Sequence, residues 1–195
     1  VCAPDVDRRT KEGKARWEEF QQEHAGKTVV KPDQFQQLSG MTESWMVHPL
    51  YSKVHSLSRV EASAFWTYRD IPCKARPDII HPNGMILDLK TTDSALPQDF
   101  QRTISNFRYH VQAAWYLDGV SKATGQVFDQ FCFIAVEKKP PFAVAVYVAT
   151  PTMIEAGRKA YQKDFSTYAE CLLADVWPAY PTEIQPIELP AWAIA

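Results

Sequence analysis

The order of segments predicts an α/β fold around a mixed sheet, and three observations carry that expectation. Helical stretches open and close the chain, three short extended segments cluster between Val60 and Lys90, and a further helix separates them from two more strand candidates. With 195 residues and 22.2 kDa the chain is the size of one ordinary domain, spanning 1–195.

The first helix is expected over Arg8 to Glu23, where Trp17 and Phe20 interrupt a charged surface and Thr10 can cap the start. Pro32 opens a second, in which Phe35, Leu38, Met41, Trp45 and Met46 recur at near-helical spacing until Pro49, with a kink allowed at Gly40. Val60 to Trp66, Cys73 to Ile80 and Met85 to Lys90 read as strands of an antiparallel meander. Asn83-Gly84 between the last two predicts a tight hairpin turn, because both residues tolerate positive φ. Ile104 to Leu117 is a helix with Ile104, Phe107, Val111 and Ala114 on a core stripe, and Ser105, Arg108, Gln112 and Tyr116 on the other side. Strands follow at Phe128 to Val136 and Phe142 to Ala149, separated by Pro140-Pro141, and a last helix runs from Thr150 or Pro151 to about Leu173. From Trp177 the chain carries Pro178, Pro181, Pro186 and Pro190, so residues 177–195 form an extended tail on the surface or against a neighbouring subunit.

Composition excludes several classes. Hydrophobic residues at 46% and charged residues at 23% suit a globular protein, and no apolar run approaches the roughly 20 residues that cross a bilayer. A net charge of -2 gives no global basic field, so any nucleic-acid contact must use a local patch or metal ions. Cys2, Cys73, Cys132 and Cys171 lie far apart without a C-x-x-C pair, which suggests reduced thiols in a cytoplasmic protein. The chain begins Val1-Cys2-Ala3 with no signal-peptide pattern, and is expected to be a piece truncated at its N-terminus.

The chemistry concentrates in Arg76-Pro77-Asp78 and, nine residues on, Asp88-Leu89-Lys90. Across a hairpin the two aspartates can lie side by side, and strand alternation puts Asp88 and Lys90 on one face with Leu89 pointing into the core. Two carboxylates within about 4 Å repel unless a divalent cation lies between them, so the pair predicts hard oxygen ligation of Mg²⁺, with Mn²⁺ as a substitute. Lys90 can then orient or deprotonate a water, or stabilise charge on a phosphoryl group. Glu61, on the preceding strand, can add a carboxylate through water. Arg76 either steers DNA or pairs with Asp78 or Glu61, and Thr91 and Thr92 either bond a phosphate or end a strand. His24, His48, His55 and His81 lack ligand spacing, and His110 faces away from Gln112, which makes it structural.

Pro77-Asp78 and Asp88-Leu89-Lys90 resemble the two halves of the PD-(D/E)XK nuclease signature, and Gln112-Ala113-Ala114-Trp115-Tyr116 resembles the Q-x-x-x-Y element of its RecB-like branch. Within that branch, Cys73 to Asp78, Asp88 to Thr92, Tyr109 to Tyr116 and the closing Leu189-Pro190-Ala191-Trp192-Ala193 are similar to RecE-type exonuclease VIII nuclease domains. The resemblance implies an αβββαβ core with flanking helices and a Mg²⁺-dependent exodeoxyribonuclease that degrades one strand of linear duplex DNA from its 5′ end. It implies work at double-stranded DNA ends beside a single-strand annealing protein, in phage or prophage recombination in a bacterial cytoplasm, as a homo-oligomeric ring. Carried onto these residues, it makes Asp78, Asp88 and the Leu89 carbonyl metal ligands, with Glu61 assisting, and Lys90 the activator of water. Gln112, Tyr116, Arg108, Arg76 and Thr91 would contact the DNA backbone.

One departure stands out. Such domains carry an early G-x-x-x-H followed by an acidic residue, whereas Gly13 here is followed by Lys14-Ala15-Arg16-Trp17. The histidine is expected to precede Val1 or to be missing, which would loosen the metal site. A non-catalytic DNA-binding or assembly module of the same fold, or an endonuclease with the same chemistry, are the alternatives.

Overall fold

The computed structural model describes residues 1–194. Helix α1 spans Lys11–Glu23, where the Gly13 N–H donates to the capping Thr10 Oγ1 at 3.0 Å. Helix α2 covers Pro32–Met46, started by Pro32 in the first turn. It runs unbroken through Gly40. The glycine serves packing instead of a kink: a Cβ there would sit 2.2 Å from the Phe142 ring. A short helix α3, Tyr51–His55, follows, which the sequence reading did not separate.

The meander divides into two pieces. A five-stranded mixed sheet has the order β1 (Arg59–Val60), β4 (Ile79–His81), β5 (Met85–Thr92), β6 (Gln130–Glu137), β7 (Val144–Val148), with only β5 and β6 parallel. Strands β2 (Ala64–Tyr68) and β3 (Ile71–Ala75) pair as a separate hairpin. Two local causes explain the split. Glu61 takes positive φ and ends β1. Pro77, which cannot donate to a ladder, ends the segment that began as β3. The hairpin turn is Arg69-Asp70, both at positive φ. The β4–β5 connection also differs from expectation: His81 pairs with Met85, so three residues form the turn and only Gly84 has positive φ. Pro82 fixes the first of those three positions and leaves glycine to close the loop.

The helix expected over 104–117 is two, α4 (Pro97–Asn106) and α5 (Tyr109–Thr124), broken at Arg108 in the left-handed region. The break leaves Phe107 exposed, off the core stripe assigned to it. Helix α6, Pro151–Ala174, starts at a Thr150 cap that accepts from Met153 N–H at 3.2 Å. The tail holds one 3-10 turn, Ala191–Ala193, and its Tyr180, Ile184, Ile187 and Trp192 are exposed.

The core lies on both faces of the sheet. Ile86, Phe131, Phe133 and Ala135 pack under α4, α5 and α6, together with Phe100, Ile104, Leu117 and Ile154. On the other face Leu87, Cys132, Ile134 and Val136 meet Trp45 of α2 and Val54 of α3. Thus β5 is a central strand whose successive side chains are buried in opposite layers.

Helix α6 crosses α5 closely at Gly157, and the crossing is tied by Arg158, whose guanidinium donates twice to Asp118 at 2.8 Å while Tyr161 Oη donates to the same carboxylate at 2.6 Å. The arginine and the phenol together hold the Asp118 carboxyl below its ordinary range against the opposing effect of burial. The β2–β3 hairpin covers the outer side of α5, with Trp66 against Trp115 at 4.9 Å and Gly119 leaving room for the Trp66 ring. These contacts fix α5, which carries Gln112 and Tyr116. No helix among the described residues is long and apolar enough to cross a membrane.

Candidate active site

Asp78 and Asp88 lie one residue beyond the paired Ile79 and Leu87, at the open end of the β4–β5 hairpin. The backbone fixes Asp78 there twice: its carbonyl accepts the Glu61 N–H at 2.9 Å, and its Oδ2 accepts the Leu89 N–H at 2.7 Å. The expected side-by-side placement of the aspartates is therefore what the hairpin builds.

The alternation of β5 works opposite to the inside and outside assigned from sequence. Leu89 is 41% exposed, whereas Asp88 is 2% exposed. Asp88 shares the face of Ile86, which α4 and α5 cover, while Leu89 follows Leu87 on the α2 face beyond that helix's cover. A carboxylate thus lies where an apolar residue would normally be.

Three groups surround it. Gln112 Nε2 on α5 donates to Asp88 Oδ1 at 3.0 Å. The Lys90 ammonium forms an ion pair with Oδ2, held from above by the Tyr109 ring at 4.4 Å. No donor besides the Lys90 ammonium reaches Asp88 Oδ2, so among the described residues this buried oxygen rests on that one charge partner. Burial, ahead of every other influence, pushes the Asp88 carboxyl up to about 6; Lys90 pulls it down, and the negative charges of Asp78 and Glu61 add to the rise.

Glu61 lies on the bend after β1, not within a strand, and its Oε2 pairs with Arg76 Nε at 2.7 Å. That resolves Arg76 toward pairing, and both side chains are exposed enough for the pair to add little stability. Arg108 is displaced from the working face of α5. It occupies the break before the helix and pairs with Asp164 of α6. Thr91 is exposed, whereas Thr92 is buried and donates to the Ser94 carbonyl at 3.0 Å, which ends the strand. Tyr116 stays on the same face as Gln112 and leans on Phe131 at 6.5 Å. The His110 main-chain carbonyl lies where α6 passes closest, at Gly157. The sequence reading missed Tyr109, whose position one turn before Gln112 gave the only signal.

Among the described residues no three His, Cys, Asp or Glu side chains converge on one point. Mg²⁺ does not require that, since it keeps several waters and is commonly held by one or two carboxylates together with substrate phosphate. Asp78 and Asp88, two hard carboxylates with no donor besides Lys90 on Asp88 Oδ2, fit such an ion, and the Leu89 carbonyl could add a hard oxygen.

No curated protein matches the sequence. Among solved structures the fold is similar to a Eubacterium rectale protein named "Putative exonuclease", with TM-score 0.67 and 16% identity over 91% of this chain and 72% of that one. The structure named SSO0001 aligns at TM-score 0.35 and 16% identity over 77% of this chain and 70% of that one. A family model matches residues 8–190, nearly the whole length, and this chain belongs to the family described as PDDEXK-like domain of unknown function (DUF3799).

Proposed function

We propose that this protein is a metal-dependent DNA nuclease. The observation that carries the reading is Asp88, a carboxylate buried beneath α5 beside Asp78, with the Lys90 ammonium as the partner of its Oδ2. Asp78, Asp88 and the Leu89 carbonyl would hold Mg²⁺ or Mn²⁺. The bound ion supplies charge neutralisation at the scissile phosphate and a more acidic water. Lys90 Nζ, held between Asp88 and the Tyr109 ring, would orient the attacking water or donate to a phosphoryl oxygen. Gln112 holds Asp88 in position through Oδ1. Glu61 and Arg76 form the exposed side of the site, where Arg76 can exchange its carboxylate for a DNA phosphate.

The finer reading is an exodeoxyribonuclease that degrades one strand of linear duplex from its 5′ end, as in the RecE-type resemblance. A phage-type recombination role in a bacterial cytoplasm, an annealing-protein partner and a ring of identical subunits belong to the same reading. It is tested by incubating end-labelled linear duplex beside a covalently closed circle, with Mg²⁺ and with chelator. Metal-dependent shortening of the linear DNA alone is expected; cutting of the circle would make the enzyme an endonuclease. A non-catalytic DNA-binding module, which two ligating carboxylates among the described residues would also allow, would bind DNA yet leave both substrates intact.

Gln112→Ala is expected to weaken divalent-ion affinity about 10- to 100-fold, because an outer partner that orients a ligating carboxylate is lost. Calorimetric titration with Mg²⁺ measures it, and an unchanged affinity would remove Gln112 from the site.

A further inference from the structure

The geometry points to a second element of the site on α6: we propose that the groove between α5 and α6 is a stacking site for one unpaired nucleobase of the strand being cut. The inference rests on the nuclease reading above. The groove has a volume of about 410 Å³, the size of a small-ligand pocket, and almost no polar surface. Trp115 and Tyr116 form its α5 side; Tyr161, Phe165 and Tyr168 form its α6 side. Tyr161 and Phe165 are buried and make the floor, while Tyr168 stands 45% exposed as a wall. Trp177 extends that wall at 5.7 Å from Tyr168.

Three features commit the groove to a base instead of a protein segment. The first is continuity with the carboxylates, since Gln112 lines the groove and also donates to Asp88 Oδ1. A nucleotide adjoining a phosphate at Asp88 would therefore have this groove as a neighbouring surface. The second is the rim, whose one charged lining residue, Asp164, is paired with Arg108, so a phosphate flanking a stacked base would draw Arg108 from that carboxylate. The third is the wall chemistry. Aromatic faces accept any base, as an enzyme that must ignore sequence requires, and they accept it only when it has left the duplex stack.

Binding of single-stranded oligonucleotides, each with one abasic position, tests this with Ca²⁺ replacing Mg²⁺ and with cleavage of linear duplex measured in parallel. Tyr168→Ala is expected to weaken the fully base-bearing strand about tenfold. It should cost nothing further at the one abasic position nearest the site, and Tyr168→Phe should retain affinity. Equal weakening at every abasic position, or no weakening at all, would overturn the stacking site while the parallel cleavage leaves the nuclease standing. A wild-type protein that neither binds nor cuts DNA would overturn both readings. Thermal melts of the two variants separate loss of stacking from loss of fold, because Tyr168 lies outside the buried core.

Discussion

Asp88→Asn is expected to abolish cleavage and, in the same protein, to raise the melting temperature of the metal-free state at pH 8. The unfolded carboxyl titrates near 3.8 and the folded one at about 6, with burial as the main cause. A raised carboxyl pKa means that the folded state binds the extra proton, so this group contributes its full stability below about pH 4 and loses it as pH rises through 6. The difference of two pH units corresponds to about 3 kcal/mol held against the fold at neutral pH. Asparagine keeps the shape and the Gln112 contact and removes the buried charge together with its Lys90 ion pair, whose attraction is the smaller influence beside burial. Melts in chelator at pH 4 and pH 8 should therefore show wild type and variant converging at the lower pH and separating by several degrees at the higher. Mg²⁺ should raise the wild-type melting temperature at pH 8 and leave the variant nearly unmoved. A variant that melts below wild type at pH 8 without metal would show that the ionised Asp88 is stabilised in the fold.

The second large effect is expected far from the carboxylates. Gly157→Val places a Cβ 2.0 Å from the backbone oxygen of His110 and 3.1 Å from the Ala114 Cβ, and a main-chain atom inside a helix cannot swing away as a side chain could. Helix propensity alone would favour replacing the glycine by something under 1 kcal/mol. The clash wins, with an expected loss of about 3 kcal/mol in urea unfolding. Because α5 must move to relieve it, Gln112 withdraws from Asp88, and cleavage should fall even at temperatures where the variant remains folded. Retention of full stability would mean that the two helices are free to separate at this crossing.

What was legible in the sequence was local. The aspartate pair, Lys90 on the face of Asp88, and Gln112 with Tyr116 follow from hairpin geometry and the helical repeat, and each relation spans a few residues. Which face of β5 is covered does not follow from alternation, since that depends on how far α2 and α5 extend over the strand; Leu89 and Asp88 were accordingly assigned inside and outside in reverse. The break at Arg108 left no mark either, because an arginine in the left-handed region is held by the turn around it and its bond to Asp164, 56 residues away. The aromatic side of α6 was hidden for a related reason. Tyr161, Phe165 and Tyr168 have ordinary core spacing, and only the facing Trp115 and Tyr116 turn them into a groove. The separation of β2–β3 from the main sheet depended on Glu61 and Pro77, of which only the proline announces itself.

The pairing of β5 with β6 has a consequence for the order of assembly. The β4–β5 hairpin closes a turn of three residues, so Asp78 and Asp88 can meet as soon as that turn forms. Asp88 lies opposite Phe133 only after α4 and α5 have closed the long crossover between the two parallel strands. The sequence separations thus predict that the carboxylates meet early and are dehydrated late. A chain that folds in that order would pass through a stage in which they are adjacent yet still bathed in water, and the arrival of α5 with Gln112 would turn a solvated acidic turn into the buried pair of the candidate site.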